Sequence, residues 1–291
     1  MPAILCLLAH PDDEIFCADL LARLTEEGHS LHLACLTRGE GGRHYGDPPR
    51  ATAATLGAVR EREMRASAEV LGANGMTFLD YVDPPSTDGH GAPEHDRDEL
   101  VEDIRALIET RAPALVLTHG SGGEYGHPAH RLVHESTSEA IATGRNPRPA
   151  LYSFNADHAT LPELEILNRW DWADLRLDAV PHAEVKARAL RCHRTQWTAF
   201  VGPQDTVEDY RGALVDHVAS LPAETYCCHR TGHANVSPAV LSTWVEGLEP
   251  VRSHSGETLR HATEKYRHKA RIAAGEGLLA LRQHLRRWFD G

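Results

Sequence analysis

Residues 3–14 read Ala3-Ile4-Leu5-Cys6-Leu7-Leu8-Ala9-His10-Pro11-Asp12-Asp13-Glu14, an apolar run that stops abruptly at an imidazole, a proline and three carboxylates. An apolar run without polar alternation predicts a strand buried on both faces, the habit of strands in parallel sheets covered by helices on each side. No basic segment precedes the run and no small-residue cleavage site follows it, so it reads as a core strand and not as a leader. Working outward, Phe16, Leu20, Leu21 and Leu24 recur at helical spacing and Gly28 closes the helix. Leu31 to Leu36 supplies a second strand, completing a strand–helix–strand unit.

The alternation continues. The pattern predicts a helix from Leu56 to Leu71 stopped by Gly72, a strand at Met76–Leu79, a helix carrying Leu100, Ile104 and Leu107, and a fourth strand at Ala114–Leu117. Pro113 stands at the mouth of that strand, where a missing N–H is tolerated. A helix at Arg131–Thr143 and a strand at Ala150–Phe154 follow. Beyond residue 157 the pattern predicts helices near 182–194 and 258–288 and a strand at Glu224–Cys227, without a topology. The expected fold is α/β: a Rossmann-like, mostly parallel sheet with helices on both faces and a C-terminal helical extension. No repeat or linker divides the chain, so one domain spanning 1–291 is expected, with its core in about 1–200.

Composition narrows the function. The 291 residues are 41% hydrophobic and 25% charged, which excludes collagen, coiled coil and disordered tail. A net charge of −12 speaks against nucleic acid, whose phosphates require a basic footprint. No apolar run is long enough to span a bilayer, so no membrane partner is expected. The 20 histidines suffice to reverse the sign of the net charge if all were protonated, so solubility should vary with pH below neutrality. Cys6, Cys17, Cys35, Cys192, Cys227 and Cys228 lack the spacing of a disulfide framework or zinc ribbon, and a reducing cytoplasm is the expected location. The apolar positions of 258–288 are expected to pack on the body or on a second copy, leaving a homo-oligomer open.

Two motifs begin where predicted strands end: His10-Pro11-Asp12-Asp13-Glu14 after the first, and Gly126-His127-Pro128-Ala129-His130 after the fourth. In doubly wound sheets ligands collect outside the carboxyl ends of the strands, where the strand order reverses. If the two strands are neighbours, an imidazole and three carboxylates face two imidazoles across one crevice, a nitrogen-and-oxygen set suited to zinc. The spacing lets His10 and Asp13 converge on one ion and leaves Asp12 free as a general base. Of His127 and His130, one can bind metal while the other faces the reacting centre. The alternative is structural: Asp12, Asp13 and Glu14 capping a helix, and surface histidines in a His-rich chain.

Taken with Thr37-Arg38-Gly39-Glu40, Arg60-Glu61-Arg62-Glu63, Val70-Leu71-Gly72-Ala73 and His193-Arg194-Thr195-Gln196, these motifs resemble the PIG-L/LmbE family of zinc-dependent N-acetylglucosaminyl deacetylases over residues 1 to about 200. The resemblance implies that His10, Asp13 and His130 bind Zn2+, that Asp12 deprotonates the attacking water, and that His127 stabilises the oxyanion. It also implies sugar contacts from Arg60 and Asp88. The implied substrate is a small amino sugar, N-acetylglucosamine linked to malate or inositol. A thiol-cofactor S-conjugate amide or a chitooligosaccharide would use the same chemistry, and a non-catalytic sugar- or nucleotide-binding module is the reading of a different class. One departure stands out: the family usually carries Asp where this chain has Ala129, so a carboxylate partner for a ligand imidazole must come from elsewhere.

Three further stretches have plain expectations. Gly120–Gly126 lacks phosphate-loop spacing and reads as a flexible wall of the crevice, and Gly39–His44 as a lip or connector. Cys227-Cys228-His229 reads as a strand end, and His193–Gln196 either borders the site or ends a helix with an exposed histidine.

Overall fold

The computed structural model describes residues 1–86, 90–145, 147–158, 167–177, 183–221, 223–229 and 240–251. The chain forms two compact units, 1–157 with 163–251, and 158–162 with 252–291. Apart from His158 the second lies outside the described residues, and with it the helix expected over 258–288. All the described strands and helices belong to the first unit.

Strand β1 (Ala3–Leu8) runs through a 3-10 turn (Asp13–Cys17) into helix α1 (Ala18–Glu26), and β2 (Ser30–Cys35) returns parallel beside it. Gly28, at φ +84, reverses the chain between them, a conformation that costs glycine nothing. Helix α2 (Leu56–Val70) leads to β3 (Gly75–Phe78), which pairs parallel with β2. The chain then crosses back through α3 (Arg97–Arg111), whose N-terminus Asp96 caps by accepting from the N–H groups of Asp98 and Glu99. It enters β4 (Leu115–Thr118) on the other flank of β1. A single turn α4 (Gly123–Gly126), helix α5 (Pro128–Thr143) and β5 (Ala150–Phe154) complete the parallel part, ordered β3-β2-β1-β4-β5.

The strand order therefore reverses between β1 and β4, and Ile4 pairs with Leu115 and Leu7 with Thr118. The two strand ends whose adjacency the sequence reading required are side by side.

Period-two alternation divides the core into two layers. Ile4, Cys6, Leu8, Leu31, Leu33 and Leu117 pack with Leu20, Leu21 and Leu24 of α1 on one face. Leu5, Leu7, Ala9, Ala34 and Val116 pack on the other with Leu100 and Ile104 of α3 and Val133 of α5. Truncating one such leucine to alanine typically costs about 2–5 kcal/mol.

The region beyond residue 155 adds what periodicity did not reveal. A two-residue β6 (Ala156–Asp157) pairs with β7 (Asn168–Trp172), followed by β8 (Leu175–Leu177). Helix α6 (Ala183–Cys192) realises the expectation at 182–194, and α7 (Trp197–Val201) and α8 (Val207–Ser220) follow it. Strand β9 (Glu224–His229) pairs antiparallel with β5 and β8, and β10 (Leu248–Pro250) with β8. Among the described residues the sheet is eight-stranded, its far edge antiparallel. None of the described helices is long and apolar enough to cross a membrane. All six cysteines are unbridged.

Candidate active site

Both motifs emerge at the carboxyl ends of β1 and β4. The β1 turn folds on its own carboxylates: the His10 N–H donates to Asp13 Oδ2 at 2.8 Å and the Asp12 N–H to Glu14 Oε2 at 3.0 Å. Asp12 sits at φ 90, in the left-handed region. Beneath it, the buried Glu14 accepts at Oε1 from Ser67 Oγ and His193 Nε2, each at 2.5 Å. His193 is thus fully buried against the motif and not an exposed helix end.

Asp13 is the meeting point. Its Oδ2 lies 3.5 Å from His10 Nδ1 and 3.3 Å from His119 Nε2, and its Oδ1 lies 3.4 Å from His130 Nε2. Burial disfavours its charge, but His130, His119 and the hydrogen bond with His10 outweigh burial and hold the carboxyl well below the usual range. His10 feels the same contest in reverse: burial opposes protonation, the carboxylates of Asp13 and Asp83 favour it, and the balance is upward.

Two groups bring ligand atoms within 4.8 Å of one another: His10, His127 and His130, and Asp13, His119 and His130. Hydrogen bonds separate the members. The Ala9 N–H donates to His119 Nε2 at 3.0 Å while His119 Nδ1 lies 3.0 Å from Glu124 Oε2, so neither ring nitrogen is free. Burial resists protonation of His119, and Glu124 and Asp13 nonetheless draw its pKa up to about 9. The backbone donor at Nε2 requires a lone pair there, and the geometry is that of the neutral ring. His127 uses Nδ1 to accept from the Ala129 N–H at 3.2 Å, capping α5. Burial, then the neighbouring His130 and His10, push His127 down to about 2, so it is a neutral ring with an Nε2–H. His130 differs from both: Nδ1 contacts Glu124 Oε2 at 2.5 Å, and Nε2 is buried without a hydrogen-bond partner among the described residues. A buried ring nitrogen without a hydrogen bond, 3.4 Å from the oxygen of an ionised carboxylate, is a pair of donors that fits a cation.

Asp12 lies beside this cluster. Burial lifts its carboxyl to about 6, against the pull of Arg60, whose Nη2 is 3.2 Å from Oδ2. Arg60 also donates to Gly39 O at 3.1 Å and Pro11 O at 2.5 Å. Only glycine leaves it room, since a Cβ on Gly39 would meet Arg60 Nη1 at 2.1 Å. Arg60, expected to touch a sugar, thus lines the cavity while held against Asp12.

The cavity is about 460 Å³, a volume suited to a small ligand. His10, Asp12, Asp13 and His127 line it, with Arg43 and His44 from the expected lip. Gln196 reaches it too, so that motif borders the site.

Several residues here lie outside the two sequence motifs. Asp83 is buried with Oδ1 3.3 Å from His10 Nε2, and its one signal was an acidic residue before Pro84-Pro85 just after β3. Asp88, expected instead, lies outside the described residues. His90 packs 4.6 Å from the His127 ring. Gly120–Gly126, expected as a plain wall, carries the buried Glu124, whose Oε1 accepts from the Gly120 N–H and from Asn168 Nδ2, each at 3.0 Å. Cys227-Cys228-His229 does end a strand, β9.

A doubly wound sheet with a histidine–aspartate cluster at its switch point, beside a cavity of small-ligand size, defines an α/β protein whose site could hold a cation. Residues 5–141 match the family described as PIG-L, GlcNAc-PI de-N-acetylase. The chain is 32% identical over 226 residues to the 1D-myo-inositol 2-acetamido-2-deoxy-alpha-D-glucopyranoside deacetylase of Corynebacterium diphtheriae, covering 66% of this chain and 75% of that protein. It is 29% identical over 231 residues to the probable N-acetyl-alpha-D-glucosaminyl L-malate deacetylase 2 of Bacillus anthracis, covering 77% of this chain and 93% of that one. Two solved structures share the fold. One is the N,N'-diacetylchitobiose deacetylase of Pyrococcus horikoshii, with TM-score 0.58, 19% identity and coverage of 82% and 88%. The other is GalB, the 4-carboxy-2-hydroxymuconate hydratase of Pseudomonas putida KT2440, with TM-score 0.55, 21% identity and coverage of 79% and 97%. The chain belongs to the PIG-L family.

Proposed function

We propose that this protein is a zinc-dependent N-deacetylase of the cytoplasm that hydrolyses the acetamide of an N-acetylglucosamine-type substrate carrying malate or inositol. One observation carries the reading: Asp13 lies 3.5 Å from His10 through Oδ2 and 3.4 Å from His130 through Oδ1, His130 Nε2 is buried without a hydrogen bond, and a carboxylate of raised pKa stands alongside. Two imidazoles and one carboxylate are a ligand set that leaves a coordination position open for chemistry. Held by His10, Asp13 and His130, a zinc ion would supply Lewis acidity toward the amide carbonyl and lower the pKa of water toward neutrality.

The remaining steps belong to this chain's side chains. Asp12 Oδ accepts the proton of the attacking water, and burial gives it the basicity to do so. His127, neutral and with Nδ1 engaged, donates its Nε2–H to the oxygen as it gains charge. Protonated Asp12 then returns its proton to the departing amine. Arg60 keeps Asp12 in place and limits the rise of its pKa. The relatives named for inositol and malate glucosaminides support the substrate class, and every side chain of the proposed site lies in the unit formed by 1–157 and 163–251.

An amine-release screen across N-acetylglucosaminyl malate, N-acetylglucosaminyl inositol and chitooligosaccharides, with and without chelator, tests the reading. Chelator-sensitive release with near-stoichiometric zinc in untagged protein is expected. Metal-free protein that binds these sugars without releasing amine would make it a binding module instead.

A further inference from the structure

Glu124 is a fully buried carboxylate on a loop that the sequence offers only as a wall, and every one of its contacts faces the cluster or its supports. Oε2 meets His130 Nδ1 at 2.5 Å and His119 Nδ1 at 3.0 Å, while Oε1 accepts from the Gly120 N–H and Asn168 Nδ2. Its backbone is held at φ 55, ψ −78, a region that non-glycine residues avoid at a cost of about 1–3 kcal/mol. Asn168 clamps it there, accepting the Glu124 N–H at Oδ1, 2.9 Å away. A strained residue carrying a buried charge with four donors around it is costly to build unless its placement serves something.

We infer that Glu124 is the positioning residue of the cation site. The inference rests on the reading of His130 as a ligand. By accepting at Nδ1, Glu124 fixes the Nδ1–H tautomer of His130 and turns the Nε2 lone pair toward Asp13 Oδ1, 3.4 Å away. The same oxygen fixes His119, whose Nε2 then accepts the Ala9 N–H at the end of β1 and stands 3.3 Å from Asp13 Oδ2. One carboxylate on the β4 side thus sets the ligand imidazole and braces the β1 side. Ala129 cannot do this, since it has no polar atom to offer and is buried in the core layer with Val133. The carboxylate that this chain lacks at position 129 is supplied from position 124.

The test is Glu124→Gln, which keeps one acceptor oxygen and must turn an amide NH2 toward donors. Chelator-competition titration should show zinc affinity lowered by roughly 10–100-fold in protein whose circular dichroism matches the wild type. Glu124→Asp, which keeps the charge on a shorter stem, should recover part of the loss. Wild-type affinity in folded Glu124→Gln would overturn the inference. A second measurement needs no variant at that position: long-range 1H–15N correlation on zinc-loaded, 15N-histidine wild-type protein should show a proton on His130 Nδ1, and a bare Nδ1 would overturn it equally. His130→Ala keeps the two readings apart. If it retains zinc, the ligand assignment itself fails. If it loses zinc while Glu124→Gln does not, only the positioning role fails.

Discussion

The two corners that meet at the cavity are held by opposite means. The backbone of the β1 corner closes on its own carboxylates, with Asp13 and Glu14 accepting N–H groups three and two residues away, and distant groups such as Ser67, His193 and Arg60 reach only its side chains and the Pro11 carbonyl. The β4 corner depends on a distant residue, because Glu124 is fixed through backbone and side chain by Asn168, 44 positions further along. A turn that supplies its own acceptors is formed wherever the strand before it is formed. A turn held from afar exists only once the later chain has docked. The backbone turn of the first corner should therefore tolerate change elsewhere, and that of the second should not.

The largest effect expected is at the β1 corner. Asp12→Asn removes the proton acceptor without touching Asp13, and kcat for amine release should fall on the order of 10²–10⁴-fold with zinc content intact. Near-native turnover from that variant would sink the base assignment. Next comes the β4 corner, where cap and donor share one ring. Because Asn is a strong helix cap, His127→Asn should leave the start of α5 and the melting temperature nearly unchanged while kcat drops about 10²–10³-fold. An equal loss of stability and rate would mean that the ring acts only as a cap.

Asn168→Ala strikes the remote support directly. It strips a donor from a buried carboxylate and an acceptor from the Glu124 N–H, and denaturant melts should show about 1–3 kcal/mol of lost stability together with weaker zinc binding. An unchanged zinc affinity would erase the contrast between the corners. The smallest effect is a shift in pH dependence. Asp12 must be ionised to accept a proton, so activity falls on acidification through its pKa, which burial places near 6 and Arg60 holds down. Removing the guanidinium with Arg60→Met should move the acid limb of kcat/KM to higher pH by about one unit. A limb that stays put would show that another group controls it.

The same contrast explains what could be read in advance. Ile4 to Leu8 is a continuous apolar run, and Leu31 to Cys35 one broken only by His32, because both faces of a parallel strand are covered, and this made β1, β2, β4 and β5 legible. Strands β8 and β10 have three residues each, too few to show a period, so the antiparallel edge was invisible. Among site residues, His10, Asp13, His127 and His130 stood out because their partners are neighbours in sequence or lie on adjacent strand ends. Asp83 and Glu124 did not, since nothing local to either announces the imidazole it meets. Asn168 had no signal at all, standing at the start of a strand whose pairing, to a two-residue partner, is not periodic.

One torsion angle has a genetic consequence. A backbone at φ 90 admits asparagine and aspartate far more readily than other side chains, so position 12 is restricted twice, once by proton transfer and once by stereochemistry. Glutamate, the obvious chemical substitute, would meet the second restriction even if it satisfied the first. A saturation library at this codon should yield one active residue and two well-folded inactive ones, asparagine and glycine, with the rest impaired in both respects.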